Sequence, residues 1–139
     1  GYDAIIIKYD EDDNQIWEKN YGGTGTDNFY SINVIDNELV AVGRTSSSNY
    51  DLSDVSRKGG YDGCLVKFDL NGNITHKSNY GGDSSDYFYD SAAVRDGIIM
   101  VGQSSSVTDD YLNVGSGQID AITIGYKEEW YYSFFYVII

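Results

Sequence analysis

The stretch from Tyr2 to Phe29, YDAIIIKYDEDDNQIWEKNYGGTGTDNF, returns at Tyr61 to Phe88 as YDGCLVKFDLNGNITHKSNYGGDSSDYF, without a gap. Asp62 minus Asp3 gives an offset of 59, and Tyr80 minus Tyr21 gives the same. Register holds from Asp3 through Ser47 against Asp62 through Ser106. A third copy opens at IDAITIGY, where Asp120 minus Asp62 gives 58. A repeat of this kind constrains the fold more than any single motif. Each copy must form the same supersecondary unit and bury its apolar surface on its neighbours.

Each copy carries four apolar segments, in the first Ala4 to Asp10, Gln15 to Tyr21, Phe29 to Ile35 and Leu39 to Thr45. All are strand length and none has a helical period. Their Ile, Val and Tyr content suits a pleated surface. With 16 Gly and no Pro, the turns must be made by Gly, Asn and Asp. Asn71-Gly72 and Asp96-Gly97 predict tight hairpin turns with positive φ at both central residues. Each copy is therefore expected to be a four-stranded antiparallel meander. Runs such as AIIIKY and GIIMVG do not alternate, so both faces of each sheet must be covered. The predicted fold is all-β, with four-stranded blades of a β-propeller at a period of about 59 residues. A β-helix is the competing repeat architecture, but its period is usually shorter and it fits the hairpin dipeptides badly.

The net charge of −13 argues against nucleic acid and against an anionic membrane surface as partners. It is compatible with cation binding and with simple solubility. Cys64 is the single cysteine, which excludes an intrachain disulfide, and its place in GCLVKF predicts a small buried hydrophobe. The apolar tail FFYVII is too short for membrane insertion, which takes about 20 residues.

The repeated residues resemble the β-propeller repeat found in bacterial secreted and cell-surface proteins. The pattern covers roughly residues 1–126. Asp3, Lys8, Trp17, Tyr21, Gly22, Gly23, Asp27 and Gly43 fall on it. So do Asp62, Lys67, Asp69, Asn71, Gly72, Asn73, Tyr80, Gly81, Gly82, Asp86 and Gly102, whereas His76 stands where Trp17 follows the pattern. The resemblance implies an extracellular or cell-surface location. It also implies a strand order within a blade of FYSINVI innermost, then LVAVGRT, then GCLVKFD, with ITHKSNY outermost. On that frame residues 1–27 form the outer half of one blade, 28–86 a full blade, and 87–139 a second blade with an irregular C-terminal end. About two and a half blades do not close a ring of about four to eight. The chain is then an arc, and its exposed blade faces are expected to self-associate.

The implied function is a non-catalytic scaffold or recognition module for a protein or polysaccharide partner. A polysaccharide-binding or carbohydrate-active propeller and a calcium-stabilised adhesion repeat are the alternatives. No enzyme is expected: the one histidine, His76, lies in no triad spacing, and GGTGTD opens no helix. No cofactor is expected unless it is Ca²⁺. Asp10, Asp12, Asn14 and Glu18 occupy positions 1, 3, 5 and 9 of a Ca²⁺-loop spacing, though position 6 is Gln15 and no Glu stands at position 12. An Asx-rich hairpin turn accounts for the same residues. Fourteen tyrosines could line a carbohydrate surface, whereas the repeated pairs Tyr21/Tyr80 and Phe29/Phe88 fit interblade packing. The long loops from Ser46 to Gly59 and from Ser105 to Gly117 differ between copies. Loops on a rigid scaffold often carry recognition, which makes Tyr50, Asp51, Asp54, Asp109, Asp110 and Tyr111 candidate ligand contacts.

Overall fold

The structure, a computed structural model, describes residues 1–95 and 97–127. About 55% of it is strand, and the only helical pieces among the described residues are two single 3₁₀ turns, Tyr50–Leu52 and Asp109–Tyr111. Nine strands follow in order: β1 (Ala4–Tyr9), β2 (Gln15–Tyr21), β3 (Asp27–Ile35), β4 (Glu38–Thr45), β5 (Asp62–Phe68), β6 (Ile74–Tyr80), β7 (Asp86–Val94), β8 (Gly97–Ser104) and β9 (Asp120–Lys127). They form three antiparallel sheets, ordered β1-β2, β3-β4-β5-β6 and β7-β8-β9, none closed. The order within the second sheet is the one expected from the sequence. β3 begins at Asp27 and β7 at Asp86. The irregular C-terminal end expected of the 87–139 blade falls, from residue 128 on, outside the described residues.

The second sheet lies between the other two. Val40, Val42, Leu65 and Tyr80 pack with Phe88, Ile98, Met100, Ile122 and Ile124 of the third sheet. Its opposite face, with Ala41, Val66 and Phe68, packs on Tyr21 and Ile6 of the first. Because side chains alternate across a strand, β5 divides cleanly. Cys64, Val66 and Phe68 lie on one side and Leu65 and Lys67 on the other, and all seven of its residues are buried. Burial on both faces accounts for the continuous apolar run of β5, whereas AIIIKY in β1 and GIIMVG in β8 correct the expectation: among the described residues each lies in a sheet covered on one face, so Ile5, Ile7, Ile99 and Val101 stay exposed.

The turns correct one expectation. Asp36 and Asn37, with φ of 49° and 65°, make the two-residue turn with positive φ at both positions. Asn71-Gly72 does not: only Gly72 has positive φ, at 79°. The connection there runs from Asp69 to Asn73. Gly72 N donates to Asp69 O at 2.9 Å, and Asp69 Oδ1 accepts the backbone N–H of Asn71 and Asn73, both at 2.9 Å. The Asp69 carboxylate draws the turn into a longer Asx loop, where Asn-Gly alone would close in two residues. At the other dipeptide, Gly97 pairs with Val94 inside β8, and Asp96 lies outside the described residues.

β3 and β7 each carry a bulge at the same repeat position, between Phe29 and Ser31 and between Phe88 and Asp90. Tyr30 and Tyr89 are the extra residues. Opposite each bulge the strands approach closely. A Cβ at Gly43 would sit 1.9 Å from Asn28 O, and one at Gly102 would sit 1.8 Å from Tyr87 O. Only glycine fits there.

Candidate functional site

β3, β5 and β7 start at one end of the sheets, and β2, β4, β6 and β8 finish there. The long loops emerge at this end, since Thr45 pairs with Asp62 and Ser104 with Asp120. Buried carboxylates organise it. Asp27 accepts Thr45 Oγ1 at 2.6 Å, Ser47 Oγ at 2.7 Å and Gly23 N at 3.0 Å. Asp86 repeats the arrangement with Ser104 Oγ at 2.5 Å, Ser106 Oγ at 2.8 Å and Gly82 N at 3.1 Å. A buried charge is tolerable only when it is hydrogen-bonded in this way. Burial nevertheless raises the Asp86 pKa above its ordinary value, the serine donors opposing. The acids at these repeat positions are committed to holding the loops.

The candidate loop contacts divide. Asp51 and Asp110 are latches: each carboxylate accepts the N–H of the first glycine in the preceding Gly-Gly turn, Gly22 at 3.2 Å and Gly81 at 2.9 Å. Asp110 also pairs with Lys58. Tyr50 and Asp54 are exposed, Asp54 pairing with Lys77 at 3.3 Å, and Asp109 is exposed beside Thr108. Tyr111 is not a surface contact. It is 1% exposed in the core, at the repeat position of Leu52, and its hydroxyl has no partner among the described residues. The physical reason is the 3₁₀ turn at Asp109–Tyr111, which directs its third residue inward in both copies.

The Asp10 segment takes the geometry of a turn. Asp10 Oδ1 accepts the N–H of Asp12 and of Asn14, both at 2.9 Å, and both carboxylate oxygens accept from Asn14 Nδ2. These bonds hold its pKa below the ordinary value, as the matching bonds do for Asp69. Glu18 is directed to Gln15 at 3.3 Å. Among the described residues no group of three or more His, Cys, Asp or Glu is placed to hold a metal. Cys64 is buried, which pushes its thiol pKa up, away from reactivity. His76 lies on β6 with Nε2 2.8 Å from Ser78 Oγ.

One cluster is not evident in the sequence alone. Arg44, at the loop end of β4, has its guanidinium carbon 4.4 Å from the Tyr61 ring centroid, 5.3 Å from Tyr87 and 5.9 Å from Tyr30. Tyr87 and Tyr89 are stacked within 3° of parallel at 6.1 Å, and Tyr30 and Tyr89 lie 6.0 Å apart. Arg44 Nε donates to Asn28 Oδ1 at 3.0 Å, and no ion pair to Arg44 forms among the described residues. The two bulges turn Tyr30 and Tyr89 out, leaving them 45% and 48% exposed. The result is a half-open tyrosine platform around one cation, where the second and third sheets meet. Aromatic faces stack on apolar ring surfaces, and an arginine with free terminal N–H groups binds hydroxyl or carboxylate oxygens. The signal in the sequence is partly the repeat itself: Tyr30 matches Tyr89 and Tyr2 matches Tyr61 at offset 59, while Arg44 and Tyr87 break the pattern, Gln103 and Asn28 standing at the matching positions. Tyr21, Phe29 and Phe68 instead pack together inside, as Tyr80 and Phe88 do.

No protein-family model matches the chain, and no curated protein is significantly similar to it.

Proposed function

We propose that this chain is a non-catalytic recognition module from the arc of an extracellular or cell-surface β-propeller, and that it binds polysaccharide. The propeller reading is supported by strand-sequential antiparallel sheets that stack face to face at a period near 59 residues. The observation that carries the ligand class is the Arg44 platform with Tyr30, Tyr61, Tyr87 and Tyr89. Loop acids flank it at the same end, and the −13 charge disfavours polyanions, nucleic acid and uronic-acid polymers alike, so neutral polysaccharides suit the platform best.

Titration calorimetry against a panel of neutral and uronic-acid polysaccharides tests the proposal. Binding by the parent chain is expected to weaken at least about tenfold, or about 1.4 kcal/mol, in Arg44→Ala and in Tyr89→Ala, with the strand circular dichroism unchanged. Unchanged affinity in both variants places recognition elsewhere. No binding to any member of the panel removes the polysaccharide class and leaves the scaffold reading.

A further inference from the structure

The two seams between sheets bury the same repeat positions in the same order. In the first, Ile6 of β1 lies on the Phe68 face of the second sheet. In the second, Leu65, which matches Ile6 at offset 59, lies on the Ile122 and Ile124 face of the third. Each sheet thus presents one face forward and receives on the other, and the two faces differ in sequence and shape.

Among the described residues this leaves one face of each kind uncovered. The third sheet's forward face carries Ile99 and Val101, which match the buried Val40 and Val42 but are 40% and 42% exposed. The first sheet's receiving face carries Ile5, Ile7 and Tyr9, which match Cys64, Val66 and Phe68. Those three are 3%, 2% and 0% exposed in the second sheet, whereas Ile5, Ile7 and Tyr9 are 56%, 40% and 53% exposed. We infer that a second copy of this chain docks head to tail, its first sheet receiving the third sheet of its neighbour. What covers these faces is read from the chain's own seams, where the same positions already meet each other twice.

The partner side chains also fit. In the second seam Lys67 lies 6.0 Å from the ring of Tyr126, the residue matching Phe68. On the third sheet's forward face the lysine position is Gly125, and a Cβ built there meets nothing within 4 Å. Tyr9 of the next copy, which also matches Phe68, takes this open space. The contact is heterologous, so repetition builds a ring if the rotation closes and an open stack if it does not. It does not depend on the polysaccharide reading, because the tyrosine platform lies at a different seam.

Sedimentation equilibrium on the 139-residue chain tests this with paired variants. The parent chain is expected to show a mass that rises with concentration beyond dimer. Ile7→Asp alone and Val101→Asp alone are each expected to be monomeric. Mixed in equal amounts they should form a dimer and nothing larger, because one intact face of each kind remains. A parent chain that stays monomeric at its solubility limit overturns the proposal. So do single variants that associate like the parent, or a mixture that stays monomeric. The second pair, Ile5→Lys with Thr123→Lys, must repeat the result, with circular dichroism confirming folded strands in every variant.

Discussion

At the scale of single residues, the buried polar groups decide the outcome. The Tyr111 hydroxyl is buried without a partner among the described residues, and burial raises its pKa. Leaving such a group unsatisfied costs about 1–3 kcal/mol. Tyr111→Phe should therefore stabilise the chain by about 1 kcal/mol, read as a higher urea midpoint at unchanged slope. Two carboxylates should show opposite pH dependence. Burial raises the folded pKa of Asp86 above 3.8, so the wild type gains stability over Asp86→Asn as pH falls from neutral through that raised value. Glu38 accepts Lys67 Nζ at 2.9 Å and Thr75 Oγ1 at 2.7 Å, and these bonds lower its pKa below 4.5. Its contribution is present above 4.5 and lost as pH falls through the lowered value. The deficit of Asp86→Asn should grow on acidification and that of Glu38→Gln should shrink, both followed by denaturant titration between pH 7 and pH 3. Parallel slopes would contradict the assignment.

At the scale of strands and turns, the backbone sets the limits. Gly43→Ala places a Cβ where β3 passes over β4 at the bulge and should cost about 2–3 kcal/mol. Asp13 occupies the position of Gly72 with φ of 62°, so Asp13→Gly should raise the thermal midpoint slightly, by up to about 1 kcal/mol in stability. Calorimetric melting of both variants checks the two signs together. The strands were legible because repeated apolar segments, read twice in register, averaged out the ambiguity of any one of them. The Asn71-Gly72 dipeptide predicts a two-residue turn that does not form, because the Asp69 carboxylate competes for the same backbone donors. The loop residues were only half legible. Asp51 and Asp110 were visible as acids, but nothing local says that a side chain reaches a glycine N–H 29 residues away. Tyr111 reads as loop in the sequence because its inward direction comes from a three-residue turn too short to leave a period. The Arg44 platform needed two sheets side by side before it existed.

At the scale of the whole molecule, the chain passes from one sheet to the next by short crossings, and the second crossing shows how they are held. From Gly81 to Ser85 every backbone N–H donates to a side chain: Gly81 to Asp110, Gly82 to Asp86, Asp83 to Thr108, Ser84 to Ser106 and Ser85 to Ser105. The crossing from Gly22 to Thr26 repeats this with Asp51, Asp27, Asn49, Ser47 and Ser46. Each crossing is thus zipped by five bonds lying side by side, four to its own sheet's long loop and one to the acid that opens the next strand, Asp27 or Asp86. Pulled from its two ends, the chain loads these clasps in sequence, and a sheet stays whole until its clasp tears. Stretching a tandem array in an atomic force microscope should therefore give evenly spaced ruptures, each releasing one repeat of about 20 nm, which is 59 residues at about 3.5 Å apiece. Asp86→Asn should lower the rupture force without changing the spacing. In mechanical terms the repeat is a link with its own shackle, and its length under load is set by where the acids sit.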